Sequence, residues 1–359
     1  MAEPVTKKGY LMGAPHPSPG HAARYLARAA GLAPSPHNSQ PWFFAEEGHD
    51  HGFEIHLDRG RRLVLTDPFG REAVMACGAA LLNVRLAVRH LGFRPVVTLL
   101  PDSRDSAFLA HVRYAAYAPA TPAETRLIRA IPHRHTHRGP FGPEHVEIPQ
   151  PFLDELCEQA RAEGADLQLI DDSARLDLLA HLVRAGEERH RTDYAHVAEI
   201  ARCVGGYGVP YGACANHPDR TFLPGRDYLG LARRISLPSR RKWRDRTSPV
   251  LVLTTPRDDR TAWLRAGQAL QRVLLHTTAA GFTATLHTQP LELPDLRTEL
   301  RGHITPDRHP QAILRLGRTN RPCPPVPRRP TSDVLVPAPS ADARQLLSQR
   351  HVHDAVGAH

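Results

Sequence analysis

Hydrophobic and polar positions along the chain follow two periods, one helical and one alternating, with Gly and Pro marking the joints. Ala22, Tyr25, Leu26, Ala29 and Ala30 share one face at helical spacing, which predicts a short helix opened by Ser18 or His21 and ending near Leu32. Strand-like runs follow at 42–44 and 53–57. Asp67 and Pro68 form a helix start, the acid as cap and the Pro in the first turn. That helix spans 71–91 and stops at Gly92. Leu81, Leu82, Val84, Leu86 and Val88 make it apolar on more than one face, the mark of a central helix. Residues 95–100 and 107–117 read as strands, the second alternating.

A second round begins near Ile131. It predicts helices over 151–164 and 173–189 with a strand at 167–170 between them. A buried strand at 249–254 (PVLVLT), a long helix over 260–280 ended by Gly281, and strands at 283–286 and 311–316 complete it. Beyond Asn320 the chain turns Pro- and Arg-rich, with a short helix at 342–349. The two long helices are related. Residues 78–93 laid on 267–282, an offset of 189, match at seven of sixteen positions, including the closing Gly-Phe. Helix, Gly-Phe and strand therefore occur twice, which reads as an internal duplication whose halves pack about a pseudo-twofold axis, as in an isologous dimer.

Residues 34–42 (PSPHNSQPW) break the pattern. Two prolines exclude a helix, since each lacks an N–H and drives its predecessor extended. The amides and hydroxyls are too many for a buried strand. The stretch is a rigid polar loop that either points its groups at a ligand or forms a surface turn capped by Asn38 and Ser39. Residues 186–245 have no counterpart in the first half and carry GGYGVPYG at 205–212. Their glycines miss the dinucleotide fingerprint, because a Pro interrupts and no strand precedes. The insertion is read as a lid, with Tyr207 and Tyr211 as candidates to cover a ligand; a plain surface excursion is the alternative.

Composition narrows the classes. With 359 residues, 41% hydrophobic and 23% charged, the chain is an ordinary globular protein long enough for two modest cores. No apolar run approaches the ~20 residues of a bilayer span, and the N-terminus lacks the apolar stretch of a signal peptide. Five cysteines without CxxC spacing fit reduced thiols in a cytoplasm. The net charge of +9 asks for an anionic partner, yet all but Lys7, Lys8 and Lys242 of the 46 basic residues are Arg. No basic run is interleaved with aromatics, so nucleic acid is not the expected partner; a few Arg around one phosphate satisfy the charge equally well.

Residues 131–141 (IPHRHTHRGPF) supply such Arg. Arg134, Thr136 and Arg138 alternate, so an extended piece presents two guanidiniums and a hydroxyl on one side, a fit for phosphate oxygens. His133, His135 and His137 offer a metal alternative that lacks a further ligand at the right spacing, and a solvated turn is the remaining reading.

The PSPHNSQPW run resembles the PSxxNxQPW loop of the FMN-binding nitroreductase superfamily, and its flanks resemble the Acg-like branch. The RHTHR run is similar to the RxSxR element that grips FMN phosphate there, and residues 289–292 (QPLE) to the loop under the flavin ring, with Leu293 where Gly is common. PVPRRPTSDVL resembles the terminal basic element. The resemblance thus implies cofactor contacts from Pro34, Ser35, Asn38, Gln40, Arg134, His135, Thr136, Arg138, Gln289, Pro290, Leu291, Glu292, Arg328 and Arg329. It implies no metal and no catalytic side chain, the chemistry being flavin-borne.

The implied fold is α+β and nitroreductase-like: a first half over 1–120 and a second over 121–335, with the lid insertion at about 186–245 and a tail at 336–359. The first half has the PSPHNSQPW loop and the second the phosphate and ring loops, so one chain holds one complete site across an internal pseudo-dimer. The expected function is FMN-dependent oxidoreduction, with NAD(P)H as reductant and a nitro, quinone or similar small molecule as acceptor, in a cytoplasmic monomer. The alternative is FMN storage or sequestration under a closed lid; a specialised oxidase or flavin-degrading reaction is a third.

Overall fold

The computed structural model describes residues 19–47, 52–138, 141, 147–214, 223, 225–228, 248–319 and 325–337. The helix expected at 342–349, the tail beyond 337, Cys323 and much of the insertion after Cys214 lie outside them. In chain order the elements are α1 (His21–Gly31), β1 (Trp42–Glu47), β2 (Gly52–Leu57), α2 (Arg71–His90), β3 (Phe93–Leu99), β4 (Phe108–Tyr117) and α3 (Pro122–Ala130). Then come α4 (Gln150–Arg161), β5 (Asp166–Ile170), α5 (Ser173–Thr192), α6 (Tyr194–Ala201) and α7 (Tyr211–Cys214). The chain continues through β6 (Val250–Thr255), α8 (Arg260–Ala279), β7 (Thr283–Leu286), α9 (Pro294–Ile304), β8 (His309–Gly317), α10 (Thr331–Val334) and β9 (Leu335–Pro337).

The architecture is α+β. One sheet runs β3-β4-β2-β1-β9 and the other β7-β8-β6-β5. Without β9, the strand order is the same in both, every pairing is antiparallel, and a long helix joins the corresponding second and third strands. The first sheet rests Phe44, Phe53, Ile55, Leu109 and Val112 on α1 and α2. The second is covered on both faces, by α4 and α8 on one and by α5 and α9 on the other, so β6 is buried at every position. That is why PVLVLT is continuously apolar rather than alternating.

Helices α2 and α8 meet backbone to backbone where they cross. A Cβ at Gly78 would lie 2.2 Å from the Leu264 carbonyl oxygen, and one at Gly267 would lie 1.9 Å from that of Met75. Gly78 and Gly267, like Met75 and Leu264, are 189 residues apart, so the contact is reciprocal in the manner of an isologous interface. Only glycine permits so close an approach. Polar pins reinforce the crossing: Gln271 Nε2 donates to Asn83 Oδ1 at 2.8 Å, and Asn83 Nδ2 to the Ala29 carbonyl at 2.8 Å. Both helices end at a glycine in left-handed conformation, Gly92 (φ 89°) and Gly281 (φ 76°).

Several boundaries differ from expectation. Pro68 precedes α2 rather than lying in its first turn; Gly70 is the cap residue, while Asp67 Oδ2 accepts from Ala73 N at 2.8 Å. Helix α3 opens the second round, with a capping box between Thr121 and Glu124. Gly186 belongs to α5, where its missing side chain lets the helix approach Gln289. The excursion therefore starts after Thr192, and its first part is the helix α6, capped by Asp193. Finally, β9 carries the chain back from the second sheet to pair in parallel with β1.

Candidate functional site

Where the sheets and the α2–α8 crossing meet, a cavity opens between segments far apart in sequence. Pro34, Ser35, Pro36 and His37 form one wall, and Glu72, Met75, Ala76 and Ala79 of α2 another. Thr136, His137 and Arg138, then Thr285, Leu286, Thr288 and Gln289, close the opposite side, and Arg226 and Tyr228 enter from the insertion.

The 34–42 loop owes its shape to local hydrogen bonds. Ser35 Oγ accepts from Gln40 N at 3.0 Å, and a 3-10 turn spans Pro36–Asn38. His37, Asn38 and Gln40 all have positive φ (47°, 59° and 51°), a conformation that costs about 1–3 kcal/mol for each such residue and persists only where surroundings enforce it. Those surroundings are on both flanks. Asn38 Nδ2 donates to the carbonyls of Tyr207 at 2.5 Å and Pro327 at 2.8 Å, and Gln40 Oε1 accepts from Arg329 N at 2.9 Å. Asn38 and Gln40 thus tie the loop to the insertion and to the terminal basic segment, and neither lines the cavity.

Residue 136 bridges to Ala284 in parallel, and His137 N donates to the Ala284 carbonyl at 2.9 Å. The run therefore extends the edge of the second sheet at β7. Thr136 and Arg138 line the cavity; Arg134 is buried behind them, donating toward Thr136 Oγ1 at 3.5 Å. His135 is half-buried, and burial together with Arg134 and Arg328 lowers its pKa. Arg328 donates to Asn38 Oδ1 and, at 3.3 Å, to the Leu32 carbonyl. Burial first, and Arg138 next, pull its guanidinium down to about 10. Burial raises the pKa of the Tyr228 hydroxyl, and the neighbouring Arg138 opposes that rise. Among the described residues these two mutually repelling guanidiniums form no ion pair with a carboxylate, an arrangement suited to an anion.

Gln289 lines the cavity, with Nε2 donating to Glu187 Oε2 at 3.3 Å; Pro290 and Leu291 are buried beside it. Glu292 turns away into a buried charged cluster. Its Oε1 accepts from Arg226 Nη2 at 2.5 Å and from Thr288 Oγ1 at 2.7 Å. Its other oxygen lies 3.3 Å from His190 Nδ1. Arg226 also reaches His190 at 3.1 Å and His196 at 3.4 Å. His190, His196 and Glu292 stand close enough to hold a metal, but the cation among them is this guanidinium. Burial, followed by Arg226, pushes His190 down to about 2 and His196 to about 4, so both accept as neutral imidazoles. Burial pulls Arg226 down, but Glu292 and Glu187 offset that and hold it above the usual arginine value.

Neither expected lid tyrosine lines the cavity. Tyr207 is 42% exposed with its ring under the Arg329 guanidinium at 5.1 Å, and Tyr211 is 68% exposed against Gly205. The insertion meets the cavity instead through Ala213, Gly225, Arg226 and Tyr228. Tyr228 is hydrogen-bonded to His37 Nδ1 at 3.1 Å, and Glu187 Oε1 accepts from Asp227 N at 2.9 Å. His37, Glu72, Arg226 and Tyr228 were not singled out from sequence. The NHPDR run and residues 229–247 lie outside the described residues.

Two sheets of shared strand order, each crossed by a long helix, with an arginine-lined cavity where they meet, define the α+β architecture of this chain. No family model matches the chain. It is 33% identical over 343 residues to "Putative NAD(P)H nitroreductase Rv3131" of Mycobacterium tuberculosis, covering 93% of this chain and 97% of that one. It is 32% identical over 314 residues to "Putative NAD(P)H nitroreductase acg" of the same organism, covering 84% and 92%. Among solved structures, the FMN-dependent nitroreductase NfnB from Mycobacterium smegmatis, in complex with NADPH, aligns at 16% identity. That alignment has a TM-score of 0.34 and covers 61% of this chain and 96% of that one. The chain belongs to the nitroreductase superfamily, with Acg among its relatives.

Proposed function

We propose that this chain is an FMN-dependent oxidoreductase that takes electrons from NAD(P)H and passes them to a small nitro, quinone or similar acceptor. The observation that carries the reading is the Arg138 guanidinium in a cavity that also holds Pro34, Ser35 and Gln289, with Arg328 near enough to be repelled by it. Membership of a superfamily whose relatives are named NAD(P)H nitroreductases supports the same chemistry. Arg138, Arg328 and Thr136 would hold the phosphate, as charged forks and a neutral donor suit phosphate oxygens. Pro34, Ser35, Thr288 and Gln289 would border the ring. The bound flavin supplies hydride transfer, and the protein supplies binding, orientation and electrostatics.

In this reading Asn38, Gln40, Arg134, Pro290, Leu291 and Arg329 position the wall, and Glu292 anchors the insertion. The two halves act as an internal pseudo-dimer, with divisions near residue 120 and at the insertion after α5, so that one chain binds one FMN and works as a monomer. A second reading, flavin holding without turnover, is favoured by Arg226 and Tyr228, which bring the insertion into the cavity and are fixed there by Glu292 and His37.

An anaerobic absorbance scan before and after NADH or NADPH separates the two. Flavin bands that bleach with nicotinamide establish a reductase. Bands that bleach with dithionite alone establish the holding role. No flavin after reconstitution with FMN rejects both.

A further inference from the structure

Glu72 is a buried carboxyl on the cavity wall that the reading above leaves without a task. It sits in the first turn of α2, 7% exposed, and lines the cavity beside Met75 and Ala76. Oε1 accepts from Arg71 Nη2 at 2.8 Å. Among the described residues the carboxyl has no second hydrogen-bond partner. Arg71 is itself fixed, donating to the Gln311 carbonyl at 2.8 Å, so the pair cannot swing out of the wall without breaking a buried contact. A carboxyl held by one oxygen at a ligand cavity is placed to exchange a proton with what occupies that cavity.

Resting on the oxidoreductase reading, we propose that Glu72 is the proton donor to an acceptor of the quinone class reduced in this cavity. Conversion of a quinone to a hydroquinone takes up one hydride and one proton. The flavin chemistry supplies the hydride. Glu72 supplies the proton: its O–H bond breaks, an O–H bond forms on the quinone oxygen, and the carboxylate left behind is reprotonated from solvent. The surroundings keep the acid form available. Burial first, then Glu292 and Asp67, push the carboxyl up, while Arg71 and Arg226 oppose them, and the balance lies at about 8. These groups face Glu72 from its own helix, the loop before it, the turn after Leu291 and the insertion.

The test uses the full chain loaded with FMN, reduced anaerobically and mixed with menadione in a stopped-flow instrument. Glu72→Gln keeps the hydrogen bond to Arg71 but has no acidic proton. It is expected to retain its flavin and to slow reoxidation roughly 100-fold, the lower range for a positioned general acid. The wild-type rate is expected to fall as pH rises through about 8, and the variant to lose that step. Independently of turnover, an infrared difference spectrum of wild type minus variant should show a protonated carboxyl at pH 7 that ionises through the same range. Equal reoxidation rates, or a carboxyl already ionised at pH 7, overturn the proposal while leaving the oxidoreductase reading intact. Should the variant not fold, a wild-type rate with no step near pH 8 overturns it equally. A protein that takes up no FMN rejects the underlying reading, and the proposal with it.

Discussion

Arg138 and Arg328 concentrate positive charge that has no carboxylate partner among the described residues, and the effect on a ligand follows from that. Each charge-assisted contact to a phosphate is worth about 1.5–3 kcal/mol. Arg138→Ala is therefore expected to weaken FMN binding roughly 10- to 150-fold, measured by flavin fluorescence titration; an unchanged affinity would move the phosphate elsewhere. The buried histidines give a pH signature. His190 and His196 are lowered by burial and Arg226, whereas in the unfolded chain they titrate near the ordinary value of 6.5. As pH falls from 6.5 through about 4, the unfolded chain takes up a proton that native His196 refuses, and His190 extends the loss toward pH 2. Stability thus declines on acidification, and His196→Gln should flatten the urea midpoint between pH 6.5 and 4.5. Glu72 acts with the opposite sign. Its raised pKa means the native state keeps a proton that the unfolded state loses above about 4.5, so stability falls as pH rises toward 8. Glu72→Gln should be more stable than wild type at pH 8 and equal to it at pH 4.

At this scale the sequence revealed what local spacing carries. The alternation of Arg134, Thr136 and Arg138 and the exclusion of a helix from PSPHNSQPW follow from neighbouring residues alone. His37, Arg226, Tyr228 and Glu72 were illegible because their roles arise from contacts spanning up to about 190 residues, such as His37 with Tyr228. Tyr207 and Tyr211 drew attention as large aromatics in a glycine-rich run, but the left-handed Gly205 and Gly206 carry that run outside the cavity wall.

Among the elements, the α2–α8 crossing is the most constrained. A methyl group at Gly267 would overlap the Met75 carbonyl, backbone that cannot yield as a side chain can. Gly267→Ala is expected to destabilise by at least about 3 kcal/mol, the upper range for overpacking, seen as a lowered urea midpoint with unchanged slope. Alanine at Gly302, with open space around it, is the control and should shift little. Both long helices were legible because twenty-residue apolar patterns closed by Gly are strong signals. Helices α3, α6 and α9 were passed over although each carries a start signal: Thr121 with Glu124, Asp193, and Pro294. Their apolar faces are narrow, and each leans on larger neighbours for its stability.

For the molecule as a whole, the shared strand order and the reciprocal glycine contact place a seam between the two sheets and their long helices, with the cavity on it. The chain closes that seam by returning β9 to the first sheet, which draws residues 325–330 past the 34–42 loop. That return path depends on sheet pairing and was invisible in a Pro- and Arg-rich stretch. The seam forms one site when the 34–37 loop, the 136–138 run and Gln289 face a single cavity. Native mass spectrometry of the reconstituted protein tests this most directly. The account predicts a monomer carrying one FMN, lost on Arg138→Ala. Two FMN per chain, or a flavin retained by that variant at full occupancy under dilution, would contradict it.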